Sequence, residues 1–347
     1  MLKNKLILSV IFIIAMAFCV SAQTKKFSGY VNGIPVQMTL TRDGEKISGT
    51  YFYTRFGKDL KLTGTIDAEG NFKLKESDAG GKTTGEFTGK WTEEVFQNGA
   101  QLSGEWRKPN SDESSGFIAS EQIIEFTNGG KFTTKSFAEK NKPKKFEISV
   151  DYPVLSGVNP VMETKFNQLA KMRAMSSVTE FRKAMMAQTT ADLKSFPAGM
   201  TNSLGVSYNI EFANENIVSI SFLLSEYTGG AHGNYATETL NFDLKSGKEI
   251  KLADLFQPGA KYLKKLSDYS ISDLKKRLSE MSDDEWIKNG AGENVENFAS
   301  WNLTKKGLMI NFDPYQVAAY AAGPQTVIIP YSELSGIWRK DMMFAGK

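Results

Sequence analysis

The sequence predicts an α+β fold in two parts: an N-terminal antiparallel β-meander or small barrel, then a two-layer α+β domain with an antiparallel sheet and two main helices. Three observations support this prediction. Short alternating strands separated by turn residues run from Phe27 to Trp106. Amphipathic helical periodicity begins only at Pro160. Hairpins and helices then follow in mixed order, which is typical of α+β domains.

The first residues predict an export signal. Two lysines precede an apolar run from Leu6 to Val20, which is short for a membrane span, and small residues up to Ala22 precede a cleavage site. We therefore assign residues 1–22 to a signal peptide and expect an exported protein, periplasmic or extracellular, with no membrane span after cleavage. An uncleaved N-terminal anchor is the alternative interpretation.

Composition limits the chemistry available to the exported chain. The one cysteine, Cys19, lies inside the predicted signal, so disulfides, cysteine nucleophiles and cysteine–zinc sites are excluded after cleavage. The formal net charge of +3 is small for 347 residues, which argues against a nucleic-acid partner. The length suggests two domains. We expect no cofactor and no metal.

Residues 23–110 form the predicted meander or barrel. A soft repeat recurs through it, in which a serine or threonine and a glycine precede a large apolar residue by two positions. Glycine inside a strand marks a bend or a close backbone approach, and a strongly coiled meander needs such bends repeatedly. The repeat comprises Ser48-Gly49, Thr63-Gly64, Thr84-Gly85 and Ser103-Gly104.

Residues 111–145 are predicted to be a linker with possible strands. The polar, proline-bearing stretch from Pro109 to Ser115 is typical of a connector, whereas the segments at 117–126 and 131–137 alternate enough to form strands. The basic run at 140–145 is interpreted as a solvated loop before the second domain.

Residues 146–338 form the predicted α+β domain. A strand from Phe146 precedes a helix from Pro160 to about Phe196, whose buried stripe includes Met172. A second helix, about 260–281, buries a face that ends at Met281. Asp283 is a suitable N-cap for a further short helix. The remaining strands are expected at about 203–213, 217–227, 236–244, 248–252, 301–313 and 325–334.

Three segments of this domain resemble a known family of exported bacterial proteins. They are "ISVDYPVL" at 148–155, "SISFLLSEYTGGAHGNYATETLNFDLKSGKEIKLADLF" at 219–256, and "WNLTKKGLMINFDPYQVAAYAAGPQTVIIPYSEL" at 301–334. The chain over about 147–335 resembles the domain pair of PdaC-type peptidoglycan deacetylases and RsiV-type anti-sigma factors, whose second member is the domain of unknown function 3298. The N-terminal domain has no part in this resemblance.

The resemblance implies an accessory role in the cell envelope. In the deacetylases the domain pair precedes a separate catalytic domain that this chain does not contain, so we expect a binding protein without its own catalytic domain. Its expected ligand is peptidoglycan or a peptidoglycan-directed protein such as lysozyme. A structural role in an envelope complex is a further alternative, and the oligomeric state stays open.

The single histidine, His232, lies in the glycine-rich stretch "EYTGGAHGNY" at 226–235. It either pins the loop through backbone hydrogen bonds or contacts a ligand. A third alternative is a cell-wall glycan hydrolase or metal-assisted enzyme that uses His232 with a nearby carboxylate, for which Glu226, Glu238 and Asp243 are nearest in sequence.

A second glycine- and alanine-rich stretch at 313–324 is expected to lie beside the His232 loop, because its small residues allow close backbone approach. We assign no catalytic or metal-binding residue. The candidate ligand-binding residues are Tyr227, Gly229, Gly230, His232, Tyr235, Tyr315 and Tyr320.

Overall fold

The computed structural model of the chain describes residues 22–54, 57–93, 99–195, 200–278 and 280–339. Apart from Ala22, the predicted signal peptide lies outside these residues. Within the described ranges, no helix has the length and apolar character that crossing a membrane requires.

The N-terminal part is a closed antiparallel barrel of eight strands, which confirms the fold class predicted for it. Each strand pairs with the next, and β1 pairs with β8 to close the barrel, with Tyr30 opposite Ile118. The strands are β1 Gln23–Val31, β2 Ile34–Asp43, β3 Lys46–Tyr53, β4 Leu60–Ile66, β5 Asn71–Ser77, β6 Thr83–Thr92, β7 Gln101–Arg107 and β8 Ser114–Glu121.

The barrel extends beyond residue 110, where we expected the first domain to end. The polar stretch after Pro109 is the turn between β7 and β8 rather than a connector between domains. A polar hairpin turn and a polar linker have the same composition, so only the pairing of β8 with both β7 and β1 distinguishes them.

Alternate residues of every strand fill the barrel with side chains. The aromatic rings meet edge to face, as Phe87 does with Tyr51 at 5.3 Å and with Phe117 at 5.0 Å between centroids. Tyr51 and Trp91 are buried in this core. They therefore belong to the packing rather than to an exposed aromatic face.

Two glycines of the sequence repeat show why the repeat exists. A Cβ on Gly49 would lie 2.0 Å from the carbonyl oxygen of Thr39, and one on Gly64 would lie 1.9 Å from that of Lys73. Only glycine permits such approach of neighbouring strands, so these two members of the repeat mark positions where adjacent backbones come close.

A six-stranded sheet forms the centre of the second part, in the order β14-β13-β12-β11-β10-β9. Its pairs are antiparallel except for β10 with β11, which run parallel because helices connect their ends. The strands are β9 Lys131–Asn141, β10 Phe146–Ser156, β11 Asn202–Ala213, β12 Ile217–Tyr227, β13 Asn234–Asp243 and β14 Lys248–Glu249.

The connection between β10 and β11 contains three short helices where the sequence predicted one: α1 Pro160–Ala174, α2 Val178–Ala187 and α3 Thr190–Ser195. Asn159 caps α1 through its side chain. The helix breaks after Ala174 at a Met-Ser-Ser turn, since serine competes for backbone hydrogen bonds. Met172, which we placed in the buried stripe, is 62 % exposed.

A second layer packs a three-stranded sheet against helices around its own hydrophobic core. Asp283 caps α5 by accepting from the backbone N–H of Trp286 at 2.7 Å, as predicted. Met281 lies beyond the end of α4 and is exposed, contrary to our prediction. The elements are α4 Tyr262–Arg277, α5 Asp284–Ala291, β15 Trp301–Leu303, β16 Gly307–Phe312, β17 Gln325–Pro330 and α6 Tyr331–Leu334.

The barrel docks directly on the six-stranded sheet. Just after β8 the chain runs beside β11, where Ile123 donates to the carbonyl of Ile210 and accepts from the N–H of Ala213. Side chains add to the contact, since Thr54 donates from its hydroxyl to Asp151 at 2.5 Å. Hydrogen bonds from both backbone and side chains therefore join the two parts.

Candidate functional site

The two loops that the sequence singled out are in contact. Residues 228–233 connect β12 to β13, and residues 313–324 connect β16 to β17. The ring of Tyr320 stacks on the imidazole of His232, with centroids 3.7 Å apart and planes 18° from parallel. The Tyr320 hydroxyl also donates to the carbonyl of Gly233 at 2.5 Å. The predicted adjacency of the loops is therefore confirmed.

Four rings from these loops form one surface, which we call the aromatic platform: His232, Tyr235, Tyr315 and Tyr320. Tyr320 lies at its centre, 6.5 Å from Tyr235 and 5.5 Å from Tyr315 between ring centroids. Tyr235 is 44 % exposed and Tyr315 is 53 % exposed, and His232 is also exposed. A cluster of large rings that is open to solvent on one side is a common form of binding surface.

Three of the candidate residues build the His232 loop rather than the platform. Gly229 and Gly230 have φ values of 102° and 97°, which other residues rarely adopt. Tyr227 is half-buried and donates its hydroxyl to the carbonyl of Gly230 at 3.2 Å. These residues give the loop the tight path that brings His232 onto Tyr320.

The other loop is held in place from α5. Tyr315 adopts a left-handed backbone conformation with φ of 70°, which is unusual for a residue other than glycine. The indole N–H of Trp286 donates to the Tyr315 carbonyl at 2.9 Å. Trp286 was not among the predicted site residues, because no local pattern relates α5 to a loop almost thirty positions later.

Asp313 joins the second loop to β13. Its carboxylate accepts from the backbone N–H of Thr237 at 2.9 Å. Burial raises the pKa of Asp313, and the hydrogen bonds from Thr237 partly offset this rise. The contact places the start of the loop two residues from Tyr235 along β13. Sequence reasoning missed this pair, although Asp313 directly follows a strand and opens the loop.

His232 makes contacts that suit a positioned ring more than a catalytic base. Its Nδ1 lies 2.9 Å from the carbonyl oxygen of Gly233, so Nδ1 carries the proton in this contact and Nε2 faces away as an acceptor in the neutral ring. The contact with Gly233 pins the loop, and the exposed ring leaves room for a ligand on the same platform.

Two of the three carboxylates that the enzyme alternative named, Glu238 and Asp243, have partners away from His232. Glu238 lies 3.9 Å from the guanidinium of Arg173 on α1 and accepts from Ser176. Asp243, at the far end of β13, accepts from the backbone N–H of Lys245 at 2.7 Å. Among the residues that the structure describes, no group of three or more histidine, cysteine, aspartate or glutamate side chains could hold a metal ion.

Two family models match this part of the chain. Residues 139–235 match a model described as deacetylase PdaC. Residues 253–332 match a model described as a protein of unknown function, DUF3298. The first match covers β10 to the start of β13 and includes His232, and the second covers the loop that carries Tyr315 and Tyr320.

Among curated proteins, the chain is similar to the peptidoglycan-N-acetylmuramic acid deacetylase PdaC of Bacillus subtilis strain 168. The two are 31 % identical over 207 residues, which is 60 % of this chain and 42 % of the relative. The chain therefore spans less than half the length of that protein.

Two solved structures of the DUF3298 family are also similar. A member from Bacteroides fragilis NCTC 9343 is 23 % identical, with a TM-score of 0.47, and the match covers 62 % of this chain and 95 % of that one. A protein from Pseudomonas aeruginosa PAO1 is 17 % identical, with a TM-score of 0.42, covering 62 % and 98 % respectively.

Proposed function

Because this chain belongs, through residues 139–235 and 253–332, to the PdaC-like DUF3298 family, we propose that it is an exported cell-envelope protein that binds peptidoglycan at the aromatic platform. The relative in Bacillus subtilis is named for an activity on the N-acetylmuramic acid of peptidoglycan, which supports this class of ligand.

The observation that carries the proposal is the exposed group of four rings. A pyranose ring presents C–H groups on its faces and hydroxyls at its edge. Aromatic residues with a polar tip match both features, since tyrosine and histidine offer an apolar face beside a hydrogen-bonding group. Tyr235 and Tyr315 flank Tyr320, so neighbouring sugars of one chain meet successive rings.

The platform is also well ordered for binding. The ring of Tyr320 is held by stacking and by its hydrogen bond to Gly233, and the backbone that carries Tyr315 is held by the bond from Trp286. Rings that are fixed before the ligand arrives lose little conformational entropy on binding, so more of the contact energy contributes to affinity.

The test is co-sedimentation with purified peptidoglycan. We expect the wild type to sediment and the double variant Tyr235→Ala/Tyr315→Ala to bind about thirtyfold more weakly, for a loss of about 2 kcal/mol. Met172→Ala is the matched control, because Met172 is an apolar side chain of similar exposure, 62 %, on α1. Absence of wild-type binding, or equal binding by the double variant, would refute the proposal.

The same preparation distinguishes the alternatives. Binding of lysozyme is measured in a separate sample without peptidoglycan, and binding of lysozyme by a wild type that does not bind peptidoglycan would favour a protein ligand. Release of soluble sugar by the wild type and its loss in His232→Ala would favour the hydrolase. We expect no release of sugar, because the imidazole is stacked on Tyr320 and hydrogen-bonded to its own loop.

A further inference from the structure

We propose that the glycan site continues from the aromatic platform into a trough between the barrel and the six-stranded sheet, so that the protein binds an extended glycan chain rather than a single sugar unit. This inference rests on the proposed function and adds the length and course of the ligand. The trough is an open cavity of about 440 Å³ whose lining comes from both parts of the chain.

A row of small residues forms the floor of the trough. Ser149 on β10 is opposite Ala138 on β9 and opposite Gly205 on β11. Gly205 in turn is opposite Ser225 on β12. Directly paired residues point to the same face of a sheet. The four positions therefore make one transverse strip in which no side chain is larger than that of serine.

The strip leads directly to the platform. Ser225 is the cross-strand partner of Tyr235 on β13, so the tyrosine continues the row on the same face. The row crosses five strands, and neighbouring strands lie about 4.8 Å apart. The four spacings between them give the row a length of roughly 19 Å. That length accommodates several sugar rings laid end to end.

The barrel supplies the opposite wall. Tyr30, Gly33 and Pro35, from β1, β2 and the turn between them, line the same cavity. The Tyr30 hydroxyl is hydrogen-bonded to Ser207 on the sheet, which holds the wall against the floor. Burial is the main cause that raises the pKa of Tyr30, and the charges of Asp151 and Tyr235 raise it further. The hydroxyl therefore stays protonated.

The chemistry of the lining suits an uncharged chain rich in hydroxyls. Serine side chains and backbone groups dominate the floor. At its far end Lys140 pairs with Glu147, whereas Glu139, next to Ala138 in β9, points to the opposite face of the sheet and accepts from Arg182 on α2 at 2.7 Å. An ion pair offers polar contacts with little net field, which disfavours a polyanion.

The experiment measures how affinity depends on chain length. Glycan fragments of one, two and four disaccharide units, released from purified peptidoglycan, are titrated against the full-length exported chain. The test variants are Ser149→Ile and Ser225→Ile, which fill the floor with residues that strands accept well. Thr88→Ile is the matched control, since Thr88 is an exposed strand residue on the outside of the barrel.

For the wild type and Thr88→Ile we expect affinity to rise with fragment length. For the two floor variants we expect the shortest fragment to bind as before and the longest to bind about tenfold more weakly. Thermal unfolding of each variant must match the wild type, and if one isoleucine variant is unstable the other decides.

The outcomes separate this inference from the proposed function. If the wild type binds fragments of every length equally, or if both floor variants keep the full gain with length, the trough is not part of the site while the platform stands. If the wild type binds no fragment, the proposed function and the extended site both fail.

Discussion

Replacement of Tyr320 tests whether the platform is held together before ligand binds. Tyr320→Phe keeps the ring that stacks on His232 but removes the hydroxyl that donates to Gly233 at 2.5 Å. A hydrogen bond between neutral groups contributes about 0.5–1.5 kcal/mol. If that energy orders the loop for binding, the affinity for peptidoglycan fragments falls about two- to tenfold.

Tyr320→Ala removes the stacking as well. An aromatic pair contributes a further 0.5–1.5 kcal/mol or so, which brings the expected loss to about 1–3 kcal/mol and the fall in affinity to about five- to hundredfold. The global stability changes little, because loops open locally at lower free energy than the core.

Fragment titration and amide hydrogen exchange of residues 228–233 are the two measurements. Tyr331→Phe is the matched control, since the Tyr331 hydroxyl also donates to a backbone carbonyl, that of Thr304 at 2.8 Å, and neither residue belongs to a platform loop. We expect both the affinity for fragments and the protection of amides 228–233 from exchange to be highest in the wild type, lower in Tyr320→Phe and lowest in Tyr320→Ala. Equal affinity and protection in all three proteins would refute preorganisation of the loop by Tyr320.

Two further predictions concern carboxyl groups, one buried and one half-buried. Glu76 is buried in the barrel and accepts from Tyr51 at 2.6 Å and from Trp106 at 2.7 Å. Glu76→Ala leaves these donors without an acceptor, so it should lower the free energy of unfolding in urea by about 1–3 kcal/mol, and an unchanged free energy would contradict this role. Because the pKa of Asp313 is raised by burial, this group favours folding only when protonated, and its contribution is lost as the pH rises through the raised pKa. Asp313→Asn keeps an acceptor for Thr237, so its melting temperature should exceed that of the wild type at pH 7 and approach it at pH 4; a lower melting temperature at pH 7 would contradict the assignment.

Much of the fold follows from local patterns. Alternation at period two predicted the barrel strands and the sheet of the second part, and the glycine repeat predicted the tight coiling that Gly49 and Gly64 require. The cap at Asp283 was also predictable, because an N-cap is a contact between residues three positions apart.

Other features depend on partners distant in the chain. Closure of the barrel needs Tyr30 to pair with Ile118, and the strand β8 has the same local composition whether it closes a barrel or lies in a linker. The exposure of Met172 has the same origin, since helical spacing gives a stripe and only packing decides how much of that stripe is covered.

In the candidate site, too, some features follow from local patterns and others depend on partners distant in the chain. The sequence predicted that the two loops meet and named His232 and Tyr320 among the candidate residues, because glycine, alanine and aromatic residues concentrate there, but it did not predict that their rings stack. It did not predict Trp286 as an anchor, and it did not predict the trough, although alternation already places Ser149 and Gly205 on outward-facing positions. The row of small residues depends on the register between strands, and the sequence of one strand alone does not determine that register.

By itself, then, the sequence determined the strands, the turns, the family of the second part and the two loops that carry the aromatic rings, because each depends on local periodicity, backbone freedom or a characteristic run of residues. Only the tertiary structure decided that these rings form one platform and that the barrel walls a trough leading to it. Those arrangements depend on strand register and on the docking of two parts, which are set by contacts between residues far apart in the chain.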